Sequence, residues 1–232
     1  MTTRTRRPQR RNQVLSQEQI IEASIELLDA GGESGLTTRA LTERLSTGSG
    51  AIYYRVGSRD ELLDMATETV VTAALAAKPA AAAAAATPED KIRSVALALF
   101  DAIAEHQWLA TRLTLQIVRK PFGPVMVGIF ERIGRQVGAL GVPQVSWFDA
   151  TATLVHYILG AVSQNARIDG DTSTVQPSRA EFLGATATAW QDLAPEDYPF
   201  MHAIVGQIRE HDDREQFLTG IAIVLDGLTR LG

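Results

Sequence analysis

The sequence predicts an all-α protein in which a small three-helix domain of helix-turn-helix type precedes a larger helical domain. Apolar residues recur with the period of a helix along most of the 232 residues. No alternating apolar and polar run bounded by turn residues indicates a strand. Four helix-start patterns also fall within roughly the first 60 residues, so the N-terminal helices must be short.

Capping residues delimit the first two helices. Ser16, followed three residues later by Gln19, forms a capping box and predicts the start of the first helix. The pair Gly31-Gly32 predicts its end, because glycine favours helix termination. A second, short helix is predicted to follow Thr37.

The third and fourth helices complete the N-terminal domain. After a break at residues 46–48, a very short helix is predicted over residues 51–55, and Ser58 with Glu61 forms the capping box of a fourth helix. Two short helices joined by such a break are the helix-turn-helix arrangement, which lays its second helix in the major groove of DNA. The spacing therefore predicts binding to double-stranded DNA.

Composition divides the chain into four segments. Residues 1–15 form a basic flexible arm, and residues 16–77 form the helix-turn-helix domain with a connecting helix. Residues 78–87 are an alanine-rich linker, in which Pro79 interrupts a strongly helix-favouring run. The larger helical domain takes residues 88–232.

Charge is distributed unevenly between these segments. The net charge is −5, yet residues 1–60 carry nine arginines against seven acidic residues. The first 15 residues contain no acid and five arginines: Arg4, Arg6, Arg7, Arg10 and Arg11. This pattern is typical of arms that neutralise phosphates, although the same run also occurs as an inert solvated leader.

The composition argues against several classes of site. Because the chain has no cysteine, disulfides, thiol catalysis and cysteine-ligated metals are excluded. No apolar stretch of about 20 residues indicates a membrane span, and no apolar signal segment follows the arginines. No histidine and carboxylate set has a diagnostic spacing. We therefore expect a cytoplasmic protein that is not an enzyme and has no membrane segment.

Residues 35–66 read GLTTRALTERLSTGSGAIYYRVGSRDELLDMA. This segment resembles the DNA-binding domain of TetR-family transcriptional repressors in its GLTTR start, its AIYY run and its GSRDELL helix opening. The family's usual Gly-Val-Ser turn is Ser46-Thr47-Gly48 here. The resemblance implies that Ile52 faces the small core. By position, it also implies contacts to DNA from Thr38, Arg39, Ser49, Gly50, Ala51, Tyr53, Tyr54 and Arg59.

The larger domain resembles, more loosely, the regulatory domain of the tetracycline-repressor branch of that family. The resemblance runs through HQWL at 106, GVPQVSWFDATATLVHYILGAVSQNAR at 141 and QFLTGIAIVLDGL at 216. The helix predicted over residues 145–166 is apolar nearly all round, so neighbours should cover it on more than one side.

The last helix carries a wide apolar stripe. Paired with the helix over residues 145–166 across a two-fold axis, it would form the interface of a homodimer, and Gly160, Gly220 and Gly227 would permit close approach. The chain's own core is the alternative use of the same stripe. The predicted interface residues are Phe217, Ile221, Val224, Leu225 and Leu228.

The resemblance also implies a pocket for a small-molecule effector. We rank His156 and Gln116 first among polar or aromatic groups on otherwise apolar helices; the others are Trp108, Arg112, Phe130, Tyr157 and Asn165. Each of these side chains would equally suit a helical core.

A tetracycline–magnesium chelate is not expected as the effector. An ungapped count places Leu75 and Val95 where the family has its imidazole and amide ligands, and neither side chain has that chemistry. We therefore expect a different, amphipathic organic effector, with no cofactor and no metal.

Together these features predict a homodimeric repressor that binds a palindromic operator and is released by a small organic effector. Two other classes stay open, namely a helical protein–protein adaptor and an enzyme that uses a cavity of the C-terminal domain. Sequence-specific, salt-dependent DNA binding would distinguish the repressor from both, whereas turnover of a bound small molecule would favour the enzyme.

Removing residues 1–11 should flatten the salt dependence of DNA binding, because fewer counterions are released when fewer phosphates are neutralised. The slope of log K against log salt should fall in magnitude by about 0.9 for each lost phosphate contact. Fluorescence anisotropy of a labelled DNA duplex at several salt concentrations measures this slope. An unchanged slope would mean that the arm is inert.

Overall fold

All regular secondary structure in the described part of the chain, residues 15–76, 86–165 and 178–231 of a computed structural model, is helical. The helices are α1 (Gln17–Gly35), α2 (Thr38–Leu45), α3 (Ser49–Val56), α4 (Arg59–Ala76), α5 (Pro88–Glu105), α6 (Trp108–Arg119), α7 (Pro124–Ala139), α8 (Trp147–Asn165), α9 (Arg179–Gln191), α10 (Pro199–Arg209) and α11 (Asp213–Leu228). Short 3-10 turns occur at Gln144–Ser146 and Thr229–Leu231. The all-α prediction is confirmed.

The chain forms two compact units, Met1–Thr69 and Val70–Gly232, and the division falls within α4. The predicted arm, except for residue 15, lies outside the described residues, as does most of the predicted linker at 78–87. None of the described helices is both long and apolar enough to cross a membrane.

The predicted starts of α1, α2 and α4 are confirmed, whereas α3 begins at Ser49, two residues before its predicted start. Ser16 caps α1 and forms the reciprocal capping box with Gln19, while the Thr37 side chain accepts a hydrogen bond from the third residue of α2. Ser58 and Glu61 form the same box at α4, with Ser58 N donating to Glu61 Oε2 at 2.7 Å. Gly31 departs from helical backbone angles where the end of α1 is predicted, although one further turn follows.

The core of the N-terminal unit is small: α1, α2 and α3 each contact the other two, and the first part of α4 adds the fully buried Leu62 and Leu63. Ile20 and Leu28 of α1, Leu41 of α2, and Ile52 and Val56 of α3 are each no more than 1% exposed. The inward orientation predicted for Ile52 is confirmed. Because α3 has only eight residues, its position depends mainly on these two side chains.

In the turn between α2 and α3, serine and glycine occupy backbone positions at which other residue types are favoured. Ser46 ends α2 in the left-handed region, with φ 50° and ψ 44°, where glycine is favoured. Gly48 occupies the N-cap of α3 in an extended conformation and provides no side-chain cap, although serine is favoured there. Compared with the family's Gly-Val-Ser turn, this chain therefore has serine where the left-handed conformation favours glycine and glycine where the N-cap favours serine.

Helix α8 is the central element of the second unit and contacts α5, α6, α7 and α11. Its middle turns bury Leu154, Val155, Ile158, Leu159 and Val162, each no more than 2% exposed. The prediction that this helix is covered on more than one side is confirmed. Thr153, His156, Gly160 and Gln164 form its exposed face.

The apolar stripe of α11 packs inside the chain, which corrects its prediction as a dimer interface. Phe217, Ile221, Leu225 and Leu228 are between 0 and 7% exposed, and Val224 is half-buried. The stripe turns toward α8 and α5, the two earlier helices that α11 contacts. Side chains already buried in one chain have no surface left for a second copy, so the alternative use in the chain's own core holds for these four residues.

A tyrosine links α8 to α11. The Tyr157 hydroxyl donates to the backbone oxygen of Phe217 at 3.1 Å, and the two rings stack with centroids 6.1 Å apart. Burial raises the pKa of the Tyr157 hydroxyl, so this group stays protonated and able to donate. A Cβ at Gly220 would overlap with that hydroxyl. Gly220 therefore admits Tyr157 of the same chain, which corrects its prediction as a site of approach for a second copy.

Helices α9 and α10 pack against each other. Phe182 of α9 is 50% exposed and Phe200 of α10 is 69% exposed, and no residue of α10 is buried. Arg179 at the start of α9 donates to the carboxylate of Asp213 at the start of α11, with Nε and Oδ2 2.9 Å apart. This ion pair joins the helix pair to α11.

Exchanging the two turn residues should stabilise the N-terminal unit. Ser46→Gly removes the left-handed strain and Gly48→Ser adds an N-cap, so together they should raise the free energy of unfolding by about 1 kcal/mol. Amide hydrogen exchange of α2 and α3 measures the gain locally. Ser49→Gly is the control, since glycine inside α3 should lower stability. A double variant no more stable than the parent protein would contradict the strain argument.

Candidate nucleic-acid interface and ligand cavities

The outer surface of α3 is formed by small residues and one large aromatic side chain. Ser49, Gly50 and Ala51 in its first turn are exposed, and Tyr54 is 90% exposed. Nothing lies within 4 Å of a Cβ placed at Gly50. Because the opposite face of α3 is buried, the core of the unit holds this surface toward solvent.

Tyr53 connects the second helix of the motif to the first. Its hydroxyl lies 3.0 Å from Oγ1 of Thr38, the first residue of α2. This hydrogen bond brings two of the predicted DNA-contacting residues together and limits the rotation of the half-buried Tyr53 ring. The first turn of α2 and the middle of α3 thus form one surface.

Two arginines predicted at this surface have different environments. Arg39 has an 88% exposed side chain and pairs with Glu43 one turn later, with Nε and Oε1 2.8 Å apart. A surface pair of this kind contributes little, so phosphate competes readily for the guanidinium. Arg59 instead donates through Nε to the carbonyl oxygen of Leu36 at 3.1 Å and through Nη2 to that of Glu33. Arg59 therefore also fixes the start of α4 against the end of α1.

The residues predicted for the effector pocket lie in separate places. Trp108, Arg112 and Gln116 are buried on α6, each no more than 8% exposed, and line neither of the two best-formed cavities of the described part of the chain. Phe130 lines the larger cavity, and His156 and Tyr157 line the smaller one. The side chain of Asn165 lies outside the described residues. The prediction therefore identified residues of both cavities without assembling one site.

The larger cavity has a volume of about 550 Å³ and lies where the end of α6, the α6–α7 loop, α7 and the start of α8 meet. Its lining residues are Ile117, Pro121, Phe122, Met126, Val127, Phe130, Glu131, Gly134, Trp147, Phe148 and Thr151. Sequence reasoning missed most of these residues. Closely spaced aromatic residues could have identified the cavity from the sequence. Two short segments, KPFGP at 120 and SWF at 146, contribute three aromatic side chains.

Trp147 gives this cavity a fixed wall. Its indole N–H donates to the backbone oxygen of Val142 at 2.7 Å. A Cβ at Gly138 would lie 3.1 Å from the indole ring, so glycine lets α7 approach it closely. The ring is therefore held in place in the absence of a ligand, as in pre-formed small-molecule sites.

The smaller cavity is a groove of about 300 Å³ between α8 and α11. His156, Tyr157, Gly160 and Gln164 line one side, and Gln216 and Phe217 line the other. Among the described residues, no three histidine or acidic side chains lie together in a way that would hold a metal ion.

Comparison with known proteins places both units in one family. Residues 20–66 match the model for bacterial regulatory proteins of the tetR family, and residues 82–231 match the model for the tetracyclin repressor-like C-terminal domain. The two matches together cover most of the chain.

Individual proteins agree with these matches. A solved TetR transcriptional regulator from Streptomyces coelicolor is 52% identical, with a TM-score of 0.82 over 94% of this chain and 99% of that one. ActR from the same organism is 24% identical, with a TM-score of 0.73 over 94% and 96% of the two chains. The transcriptional repressor DrrR1 from Streptomyces coeruleorubidus is 25% identical over 96% of this chain and 81% of its own length.

The two solved structures share the fold described above, and the curated relative is named as a regulator of transcription. The resemblance of residues 35–66 and the separate resemblance of the larger domain are both confirmed. The chain belongs to the TetR family and is a transcriptional regulator.

Proposed function

We propose that this regulator is a homodimeric repressor that binds a palindromic operator through α3 and is released by a small organic effector bound in the unit Val70–Gly232. The observation that carries the proposal is the surface of α3. Its first turn is small and exposed, Tyr54 projects from it, and Ile52 and Val56 anchor its other face.

The chemistry of that surface suits DNA. A major groove about 12 Å wide admits a helix, and small residues at its start allow the backbone to approach the base edges. Gly48 provides no side-chain cap, so the first N–H groups of α3 are available to a phosphate. The Tyr54 ring suits a thymine methyl or a sugar, and Arg39 and the arginines of residues 1–11 supply positive charge.

The exposed faces of α8 and α11 support a homodimer. These two helices contact each other, and nothing lies within 4 Å of a Cβ at Gly160 on α8 or Gly227 on α11. Ile223, on the outer face of α11, is 67% exposed although it is aliphatic. A second copy packed on this surface would cover Ile223 and give the two reading helices that a palindromic operator requires.

The effector is the remaining part of the proposal. The second unit holds a preformed, mostly apolar cavity of a size that suits a small organic molecule. ActR, whose fold this chain shares, has been crystallised in complex with actinorhodin and with (S)-DNPA. A ligand bound in such a cavity changes operator affinity only as far as it prefers one conformation; about 3 kcal/mol of coupling corresponds to about 150-fold.

A gel-shift titration against DNA from upstream of the protein's own gene tests the central claim. We expect a discrete band that survives an excess of unrelated DNA and weakens steeply as salt increases. Binding abolished by unrelated DNA would leave only non-specific attraction of the charged arm and would contradict the proposal.

Tyr54→Ala should weaken operator binding about 5- to 150-fold, because the change removes a contact worth about 1–3 kcal/mol. Thermal stability should stay unchanged, since the side chain is 90% exposed. Anisotropy titration with the operator duplex measures the affinity. Unaltered affinity would exclude α3 as the reading helix.

Arg39→Ala should weaken binding to specific and unrelated DNA alike and lower the salt slope by about 0.9, as expected for one phosphate contact. The matched control is Arg44→Ala, which removes an exposed arginine of the same helix that pairs with Glu26 of α1. An equal loss of DNA affinity in both variants would show that Arg39 contributes only to the overall positive charge and forms no specific phosphate contact.

Ile223→Glu should convert dimers to monomers, because an isologous interface buries the new carboxylate twice. The dissociation constant of the dimer should rise about 100-fold or more. Sedimentation velocity measures it, with Phe200→Glu on α10 as a control of similar exposure. Leu225 is not used, since a charge at this buried position would unfold the chain. If only the Phe200→Glu variant is monomeric, the dimer interface lies at α10 and not at the outer face of α11.

A further inference from the structure

We propose that the cavity between α7 and α8 is the effector site and that it takes an uncharged, flat aromatic molecule with at least one hydrogen-bonding atom. The assignment of the ligand as an effector rests on the proposed function. The cavity as a site for this class of molecule rests on its own geometry.

The walls favour aromatic ligands. Phe122, Phe130, Trp147 and Phe148 line the cavity together with aliphatic side chains. Phe122 is 93% exposed and Phe148 is 73% exposed, so both present apolar rings at the mouth that the described part of the chain leaves largely uncovered. The volume of about 550 Å³ falls within the range of drug-sized pockets. A flat ring system stacked against the fixed indole would cover this surface.

The hydroxyl of Thr151 supplies a second, independent indication. Thr151 lines the cavity and is only 5% exposed, yet none of the described residues forms a hydrogen bond with its hydroxyl. Threonines in helices usually bond to the carbonyl four residues earlier. Thr153 of the same helix does so, with Oγ1 2.7 Å from the oxygen of Asp149. The Thr151 hydroxyl is therefore left for a polar atom of a ligand, which it satisfies as donor or acceptor.

Gly134 of α7 opens the path to that hydroxyl. A Cβ at this position would lie 3.4 Å from Thr151 Oγ1, in ordinary contact with it. Any longer side chain at 134 would occupy the space directly in front of the hydroxyl. The absence of a side chain at 134 thus extends the apolar cavity to the hydroxyl of Thr151.

The charges at the cavity favour a neutral ligand. Glu131 is the one charged residue that the described part of the chain contributes to the lining, and its Oε1 accepts a hydrogen bond from Nε of Arg135 one turn later. Arg135 therefore already balances the negative charge of the Glu131 carboxylate, so a positively charged ligand is not required for this. An anion would lose hydration among apolar walls and face the carboxylate, and none of the described lining residues is positively charged.

A pair of fluorescent probes tests the proposal on the full-length protein. N-phenyl-1-naphthylamine is neutral and flat and carries one N–H, and 8-anilinonaphthalene-1-sulfonate adds a sulfonate to the same framework. We expect saturable binding of one neutral probe per chain, at least about tenfold tighter than the anionic probe. No binding of the neutral probe, or a preference for the sulfonate, would overturn the proposal.

Three substitutions locate the bound probe. Gly134→Leu should weaken the neutral probe at least about tenfold by filling the floor of the cavity. Thr151→Val keeps the shape and should cost about fivefold through the lost hydrogen bond. Gly206→Leu on α10, at an open and exposed glycine, is the matched control and should change affinity less than about twofold. Equal effects of Gly134→Leu and Gly206→Leu would contradict the location, and Thr151→Val tests it independently if Gly134→Leu disturbs folding.

Three further outcomes test this proposal and distinguish its failure from that of the proposed function. Probe binding that appears only on dilution to monomers would mean that a second copy covers the cavity, which would overturn its assignment as a ligand site. Probe titration needs no DNA, so failure of the operator gel shift would contradict the repressor while leaving the cavity result intact. Operator binding that persists when the neutral probe saturates the protein, and equally when Gly134→Leu fills the cavity, would overturn its role as effector site.

Discussion

The packing of α8 against α5, α6, α7 and α11 is the constraint on which the second unit depends. A helix surrounded on four sides must bury most of its circumference, and α8 does so with branched aliphatic side chains in its middle turns. The remaining strip holds Thr153, His156, Gly160 and Gln164, which are polar or small. The start of α8 reaches the cavity, where Trp147 and Thr151 replace the aliphatic pattern. One helix therefore builds the core, a wall of the cavity and the exposed face.

In the N-terminal unit the constraint is different, because the eight-residue helix α3 has little apolar surface with which to pack against its neighbours. Ile52 and Val56 supply the apolar contact, and the Tyr53–Thr38 hydrogen bond adds a polar link to α2. Arg59 ties the start of α4 to the carbonyl oxygens at the end of α1. The outer surface of α3 is consequently held in place by residues other than its most exposed ones, which are Tyr54 and the first turn of the helix.

Capping residues, which act within one helical turn, predicted the helix ends well. Apolar patterns predicted poorly which other helix or chain each apolar face packs against. Ser16 with Gln19, Thr37, and Ser58 with Glu61 act within one turn, so their capping role is independent of the rest of the fold. An apolar stripe such as that of α11 predicts only that this face of the helix is buried. The periodicity of the sequence does not show whether α5 and α8 of the same chain or a second copy of the chain covers it. The same limit applies to Trp108 and Gln116, which are unusual on an apolar helix and are buried, while their contact with an effector stays a prediction. Gly220 was recognised as a site of close approach, and only the fold identified Tyr157 as the approaching group.

The position of Thr151 explains how a ligand and a second copy could be sensed by the same element. Thr151 faces the cavity, Tyr157 is bonded to Phe217 of α11, and Gly160 lies on the exposed face, all on one continuous helix. A helix held by hydrogen bonds along its length moves as a body, so a ligand that displaces its start also displaces the face nine residues after Thr151. The close-packed core on its other sides resists small continuous adjustments and favours two discrete positions. In the proposed dimer, a neutral aromatic ligand would therefore affect operator binding through the relative position of the two chains, by an amount limited to its difference in affinity for those two positions.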